Sequence, residues 1–247
     1  MSKPPQSAIP VINGEASSSQ ACWSCGDMRA AHFCESCGKV QPPAPTDYFS
    51  FFGLPRKLNV DSGALEREFY KLSRKLHPDV SARASEQEQE WSLQKSSQLN
   101  DAYRTLKDPI ARTEYLLKLE GVQLEEQSKA ATDQARQTGE QKKQVVPPEL
   151  LEEVFELNMQ LEEARMNRRT GEQDEQLAED LRATKKSLED KYKALDQELR
   201  GYWGAWDALP EGAAEEQRKP VRDEMIGLLN RRSYIRNLVR DVNDVLE

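Results

Sequence analysis

DSGALEREFYKLSRKLHPD, residues 61–79, describes a helix with two unlike faces and an abrupt end. Leu65, Phe69, Leu72 and Leu76 recur at spacings of four and three, which marks one apolar face along residues 61–76. At about 100° per residue, Arg67, Lys71, Arg74 and Lys75 fall on the opposite side. Pro78 disfavours helical geometry in the residue before it, so the helix cannot run on. A basic face therefore ends at a histidine, a rigid turn and a carboxylate: His77, Pro78 and Asp79.

The flanks read as helix too. DYFSFFGLP, from Asp47, predicts a short helix broken near Pro55. Residues 87–106 carry Trp91, Lys95, Leu99, Ala102 and Leu106 down one side and stop before KDP; IARTEYLLKLEG then ends at Gly121, a residue suited to a left-handed helix stop. Together these form one helical unit over 46–124. Further on, residues 147–247 predict three long helices, near 148–169, 173–208 and 213–246. The seam Leu177, Leu181, Leu188, Tyr192, Leu195, Leu199, Tyr202, Trp206, Leu209 and the seam Val221, Met225, Leu228, Ile235, Val239, Val242, Leu246 predict an antiparallel three-helix bundle. Residues 125–146 are polar and aperiodic, hence a linker, and the Pro- and Ser-rich stretch 1–20 reads as a disordered tail. The fold class is all-α, preceded by a small zinc-ribbon-like knuckle at 21–41.

Bulk properties narrow the function. The 247 residues are 32% charged and 37% hydrophobic, with a formal charge of −8, a pI near 5.1 and a mean hydropathy of −0.83. An acidic chain without a Lys/Arg block is a poor nucleic-acid binder. No eighteen-residue apolar run or secretory signal is present, so no membrane partner is expected. The opening has one Lys, no Arg and an acidic Glu15, a poor mitochondrial presequence that points to the cytoplasm, with the mitochondrial matrix as the alternative. No Gly-rich phosphate loop appears, and the two histidines, His32 and His77, belong to different modules, so neither an enzyme nor a nucleotide-binding chain is expected.

CWSCG and FCESCGK place Cys22, Cys25, Cys34 and Cys37 as two CxxC pairs with eight residues between them. Each short loop brings two thiolates to one cation, and four sulfurs complete a closed tetrahedral shell of structural type. Two disulfides are the alternative; the absence of a secretion signal favours metal. Zinc is expected, and four cysteines alone leave iron as an alternative. The knuckle is expected to be separable from the helices, with His32 on its surface.

In the first bundle helix, Leu150, Val154, Leu157, Leu161 and Ala164 form the core seam, whereas Leu151, Phe155 and Met159 form a second stripe that a three-helix bundle cannot bury as well. Glu152 and Glu156 edge it with carboxylates. An apolar strip with a charged rim suits a partner protein. Tyr234, about 140° from its own seam, is expected to join this surface. Packing of the strip against the preceding helical unit is the alternative.

The short DYFSFFGL helix, the basic helix, HPD, and LNDAYRTLKDP at 99–109 together resemble a J-domain. That resemblance implies a co-chaperone stimulating ATP hydrolysis by a DnaK/HscA-type heat-shock chaperone, with Arg67, Lys71, Arg74 and Lys75 meeting an acidic surface and His77, Pro78 and Asp79 inserting near the interdomain linker. With the C-terminal bundle and the paired CxxC knuckle, residues 46–247 are similar to the HscB family of iron–sulfur cluster biogenesis. This implies that Leu151, Glu152, Phe155, Glu156, Met159 and Tyr234 hold the scaffold IscU. Three departures stand out: VSARAS after Asp79, the long linker, and NMQ at 158–160 in place of a more acidic stretch. A general J-protein delivering unfolded clients is the alternative function.

Overall fold

Asp61 starts the basic helix by accepting the amides of Gly63 and Ala64 at 2.9 and 3.0 Å, which satisfies donors that a helix start leaves unpaired. The computed structural model describes residues 21–27, 32–122, 146–210 and 212–247. The chain divides into two compact units, Met1–Val122 and Gln123–Glu247. The tail assigned to 1–20 and nearly all of the 125–146 linker lie outside the described residues.

In the first unit, α1 (Tyr48–Phe51), α2 (Ser62–Lys75), α3 (Pro78–Ser81), α4 (Glu86–Lys107) and α5 (Pro109–Leu119) follow in order, and α1, α2, α3 and α5 all pack on α4. The expected stripes supply the core: Leu65, Leu72 and Leu76 of the α2 segment and Leu99, Ala102 and Leu106 of α4 are buried, with Phe49 and Leu117. Each such leucine contributes about 1.5–3 kcal/mol of burial. Phe69 completes the α2 face by stacking on Tyr103, ring centroids 4.0 Å apart.

The cysteine knuckle belongs to this same unit rather than standing apart as expected. The reason is that α4 turns a polar, partner-seeking face toward it: Lys39 pairs with Glu88 at 2.8 Å, and Lys95 donates to the His32 carbonyl at 3.3 Å. His32 is likewise not a free surface side chain. It is half-buried, with Nε2 2.7 Å from the Phe51 carbonyl oxygen, and burial holds its pKa below the usual value. A carbonyl only accepts, so Nε2 carries the proton.

The second unit contains α6 (Leu151–Thr170), α7 (Glu175–Asp207) and α8 (Glu215–Leu246), with a single 3-10 turn at Pro148–Leu150 leading into α6. Gly171 ends α6 at φ 76°, a conformation that glycine adopts without a Cβ penalty. Leu150, Val154, Leu157 and Leu161 meet Leu177, Leu181 and Leu188 of α7 and Tyr234, Ile235, Leu238 and Val242 of α8 in one core. Two expectations need correction. Trp203, absent from the expected α7 seam, is buried, and Tyr234 is only 6% exposed. A helix touched by two neighbours buries a wider arc than one seam, and that arc reaches Tyr234. Among the described residues the only extended pairing is an isolated bridge between Phe33 and Val40, and no helix is long and apolar enough to cross a membrane.

Candidate functional site

Three sites emerge, two in the first unit and one in the second. At the end of α2, Arg67, Lys71, Arg74 and Lys75 are all exposed. Among the described residues Lys71 pairs with its helix neighbour Glu68, at 3.1 Å, and an exposed pair of this kind contributes little and leaves the charge available. Leu76 anchors the turn by being fully buried. His77 is extended (φ −64°, ψ 135°) and caps α3: its Nδ1 accepts the Asp79 amide at 3.3 Å. Behind the turn, Ser92 Oγ donates to the Leu76 carbonyl at 3.1 Å. The histidine and carboxylate are thus presented by a turn ordered in advance, which lowers the entropic cost of docking.

Two residues of this surface escaped the sequence reading. Tyr70 (53% exposed) and Val80 (66%) add apolar area to the basic face and the turn. The signal for Tyr70 was present: at helical pitch it falls about 140° from Leu65, beside Arg74.

The cysteine site is built from two near-identical loops. In each, the first Cys amide donates to the carbonyl five residues on (Cys22 to Asp27, 2.8 Å; Cys34 to Lys39, 2.9 Å), and the glycine amide returns to the first Cys carbonyl (Gly26 and Gly38, both 2.9 Å). Gly26 and Gly38 take φ of 78° and 71°, so a side chain there would strain the loop. Sγ atoms of Cys22, Cys25, Cys34 and Cys37 all lie within 4.8 Å of one another, the nearest pairs being Cys25–Cys34 at 3.5 Å and Cys22–Cys37 at 3.6 Å. All four are free thiols. A tetrahedral shell with metal–sulfur bonds of about 2.3 Å has sulfur–sulfur edges of about 3.8 Å, so the quartet fits a metal ion.

Electrostatics agree. Burial opposes ionisation of Cys22, yet the Cys25 and Ser24 amides and the Gln41 side-chain amide, 3.3 Å away, bring its pKa down to about 6. At Cys25 the Asp27 amide acts in the same direction, but the Cys34 sulfur and burial prevail and push the pKa up to about 12. Four thiols this close do not all ionise without a cation among them.

On α6 the second stripe is exposed as expected: Leu151 54%, Phe155 67% and Met159 61%. Glu152 and Glu156 are exposed beside it. Tyr234 does not join them. Met166, 55% exposed, does extend the strip; at helical pitch it lies about 60° from Leu151, inside the arc from Leu151 to Met159.

The DnaJ domain family matches residues 47–115. Across 148 residues the chain is 34% identical to the iron-sulfur cluster co-chaperone protein HscB homolog of Arabidopsis thaliana, covering 60% of this chain and 53% of that one. Across 111 residues it is 41% identical to the mouse iron-sulfur cluster co-chaperone protein HscB, covering 42% and 47%. The chain spans about half the length of the curated relatives it matches. The crystal structure of human co-chaperone protein HscB superposes with a TM-score of 0.59 at 27% identity, over 90% of this chain and 96% of that one. With the capped HPD turn and the helices described above, the chain is similar to the HscB co-chaperones, and its residues 47–115 match the DnaJ domain family.

Proposed function

We propose that this protein is a non-enzymatic adaptor that stimulates the ATPase of a DnaK/HscA-type heat-shock chaperone and brings it an IscU-type iron–sulfur scaffold. One observation carries the reading: a single chain displays an exposed basic helix ending in a preordered HPD turn on one unit and an exposed Leu/Phe/Met strip edged with carboxylates on the other. Complementary charge on the chaperone speeds and orients encounter with Arg67, Lys71, Arg74 and Lys75, while His77, Pro78 and Asp79 make the specific contact. Leu151, Phe155 and Met159 bind the scaffold, with Glu152 and Glu156 as the polar rim. Joining both contacts in one chain raises the effective concentration of scaffold at the chaperone.

Cys22, Cys25, Cys34 and Cys37 hold one structural zinc in this reading. Zinc in a four-thiolate shell supplies cross-linking and no open position for chemistry.

Steady-state ATP hydrolysis by the chaperone with this protein, with scaffold, and with both tests the proposal. Stimulation by both far above either alone is expected. Equal stimulation with or without scaffold would instead describe a general J-protein.

A further inference from the structure

The first half of α4 buries three polar side chains where a helical core would ordinarily place leucines: Glu88, Ser92 and Lys95 are 5%, 2% and 4% exposed. With Trp91 they occupy positions i, i+3, i+4 and i+7, a single face. Every member of that face has its partner elsewhere. Glu88 meets Lys39 at 2.8 Å, Trp91 meets the ring of Trp23 edge-on at 5.6 Å, Lys95 meets the His32 carbonyl, and Ser92 holds the Leu76 carbonyl. Three of the four partners come from the cysteine knuckle, and the fourth is the residue immediately before His77. Two more contacts tie the knuckle to this unit: His32 packs on Phe51 of α1 with ring centroids 4.3 Å apart, and Lys75 Nζ at the end of α2 sits 5.6 Å from the Phe33 ring centroid.

A buried carboxylate or ammonium that loses its partner is strongly destabilising. Glu88 shows how much it depends on the knuckle: its hydrogen bond from Lys39 is the main cause holding its carboxyl below the usual range, ahead of the contribution from Ser85. This face of α4 is therefore made to be covered by a folded knuckle.

We propose that the four-cysteine knuckle is a brace on the HPD end of the DnaJ domain, with His32, Phe33 and Lys39 as its positioning residues. A closed knuckle keeps the α4 face paired and the last turn of α2, including Lys75, in the form that meets the chaperone. An open knuckle leaves Glu88 with Ser85 alone, takes the His32 carbonyl from Lys95, and loosens that end. The consequence for the chaperone rests on the adaptor reading; the brace itself does not.

Hydrogen exchange on the full chain, zinc-loaded and after treatment with a zinc chelator, tests the brace without any partner. Loss of protection by about tenfold or more is expected at residues 72–79 and 88–99, in line with losing one or two net hydrogen bonds of local stability. Protection over 177–199 in the second unit should stay unchanged. Loss confined to residues 22–40 would overturn the proposal.

Phe33→Ala, which keeps all four cysteines, then tests the link to the chaperone. It should retain zinc stoichiometry and need about threefold more protein for half-maximal ATPase stimulation, the size of an exposed cation–π contact. Phe33→Tyr should restore the wild-type value and Phe33→Leu should not. Wild-type stimulation by Phe33→Ala would remove Phe33 as a positioning residue. Exchange coupling in a zinc-loaded wild-type chain that stimulates no chaperone would uphold the brace and end the adaptor reading.

Discussion

Phe155 and Leu157 stand two positions apart on α6 and on different sides of it: Leu157 is 1% exposed and Phe155 67%. At helical pitch two positions turn the side chain by about 200°, so one helix supplies both a core seam and a free strip. The two residues should respond to truncation in opposite ways. Leu151→Ala with Phe155→Ala should weaken scaffold binding by about 2–4 kcal/mol if these are buried anchors in the complex, with thermal stability nearly unchanged. Leu157→Ala should lower stability by about 2–5 kcal/mol. Titration calorimetry with the scaffold and thermal unfolding of each variant separate these effects, and unchanged scaffold affinity in the double variant would remove the strip from the proposal.

His77→Gln should abolish ATPase stimulation while leaving helicity and scaffold affinity intact. The side chain is exposed, and its contacts are both with Asp79, whose amide it accepts at 3.3 Å and whose carboxylate lies 3.5 Å from Nδ1, so little stability is at stake. Loss of scaffold binding in this variant would show that the two surfaces have been wrongly assigned.

Tyr234 was expected at the partner surface and lies in the bundle core instead. Tyr234→Ala should therefore destabilise the second unit by about 3–5 kcal/mol, as for other large aromatic truncations. A chemical denaturation midpoint that does not move would return Tyr234 to the surface.

Lys95 gives a pH signature. Burial brings its pKa down from 10.5 to about 8, so between those values the unfolded chain binds more protons than the folded one. Stability from this group therefore rises with pH across that window, by on the order of 3 kcal/mol at most. Lys95→Met should flatten the slope between pH 8 and 10.5 and stabilise the metal-depleted chain at pH 7. An identical slope in wild type and variant, from denaturation midpoints across this window, would refute the assignment.

Much of this was legible in the sequence because it is local. Leu65, Leu72 and Leu76 declare their face through spacing alone, as do Leu150, Val154, Leu157 and Leu161, and the cysteine quartet lies within sixteen residues. What the pattern could not reveal depends on long-range partners. Lys95 was placed correctly on the inward side of its helix, but the carbonyl it serves lies 63 residues away. For the same reason His32 read as a surface side chain until Phe51 was seen against it. Trp203 and Tyr234 were missed because a single-seam reading assumes one neighbour per helix, whereas α7 and α8 each have two.

The separation between Lys95 and His32 also sets an order of events during synthesis. At about 5–20 residues per second, the ribosome finishes the knuckle roughly 3–11 s before it reaches Lys95. Cys22 and Cys37 are only 15 residues apart, so closing their loop costs little chain entropy, and the sulfurs can gather before α4 exists. The knuckle is thus made well before the α4 face that seats it. A chain born when metal is scarce would complete α4 with Glu88 held by Ser85 alone and Lys95 without the His32 carbonyl, the kind of low-stability segment that proteases reach first.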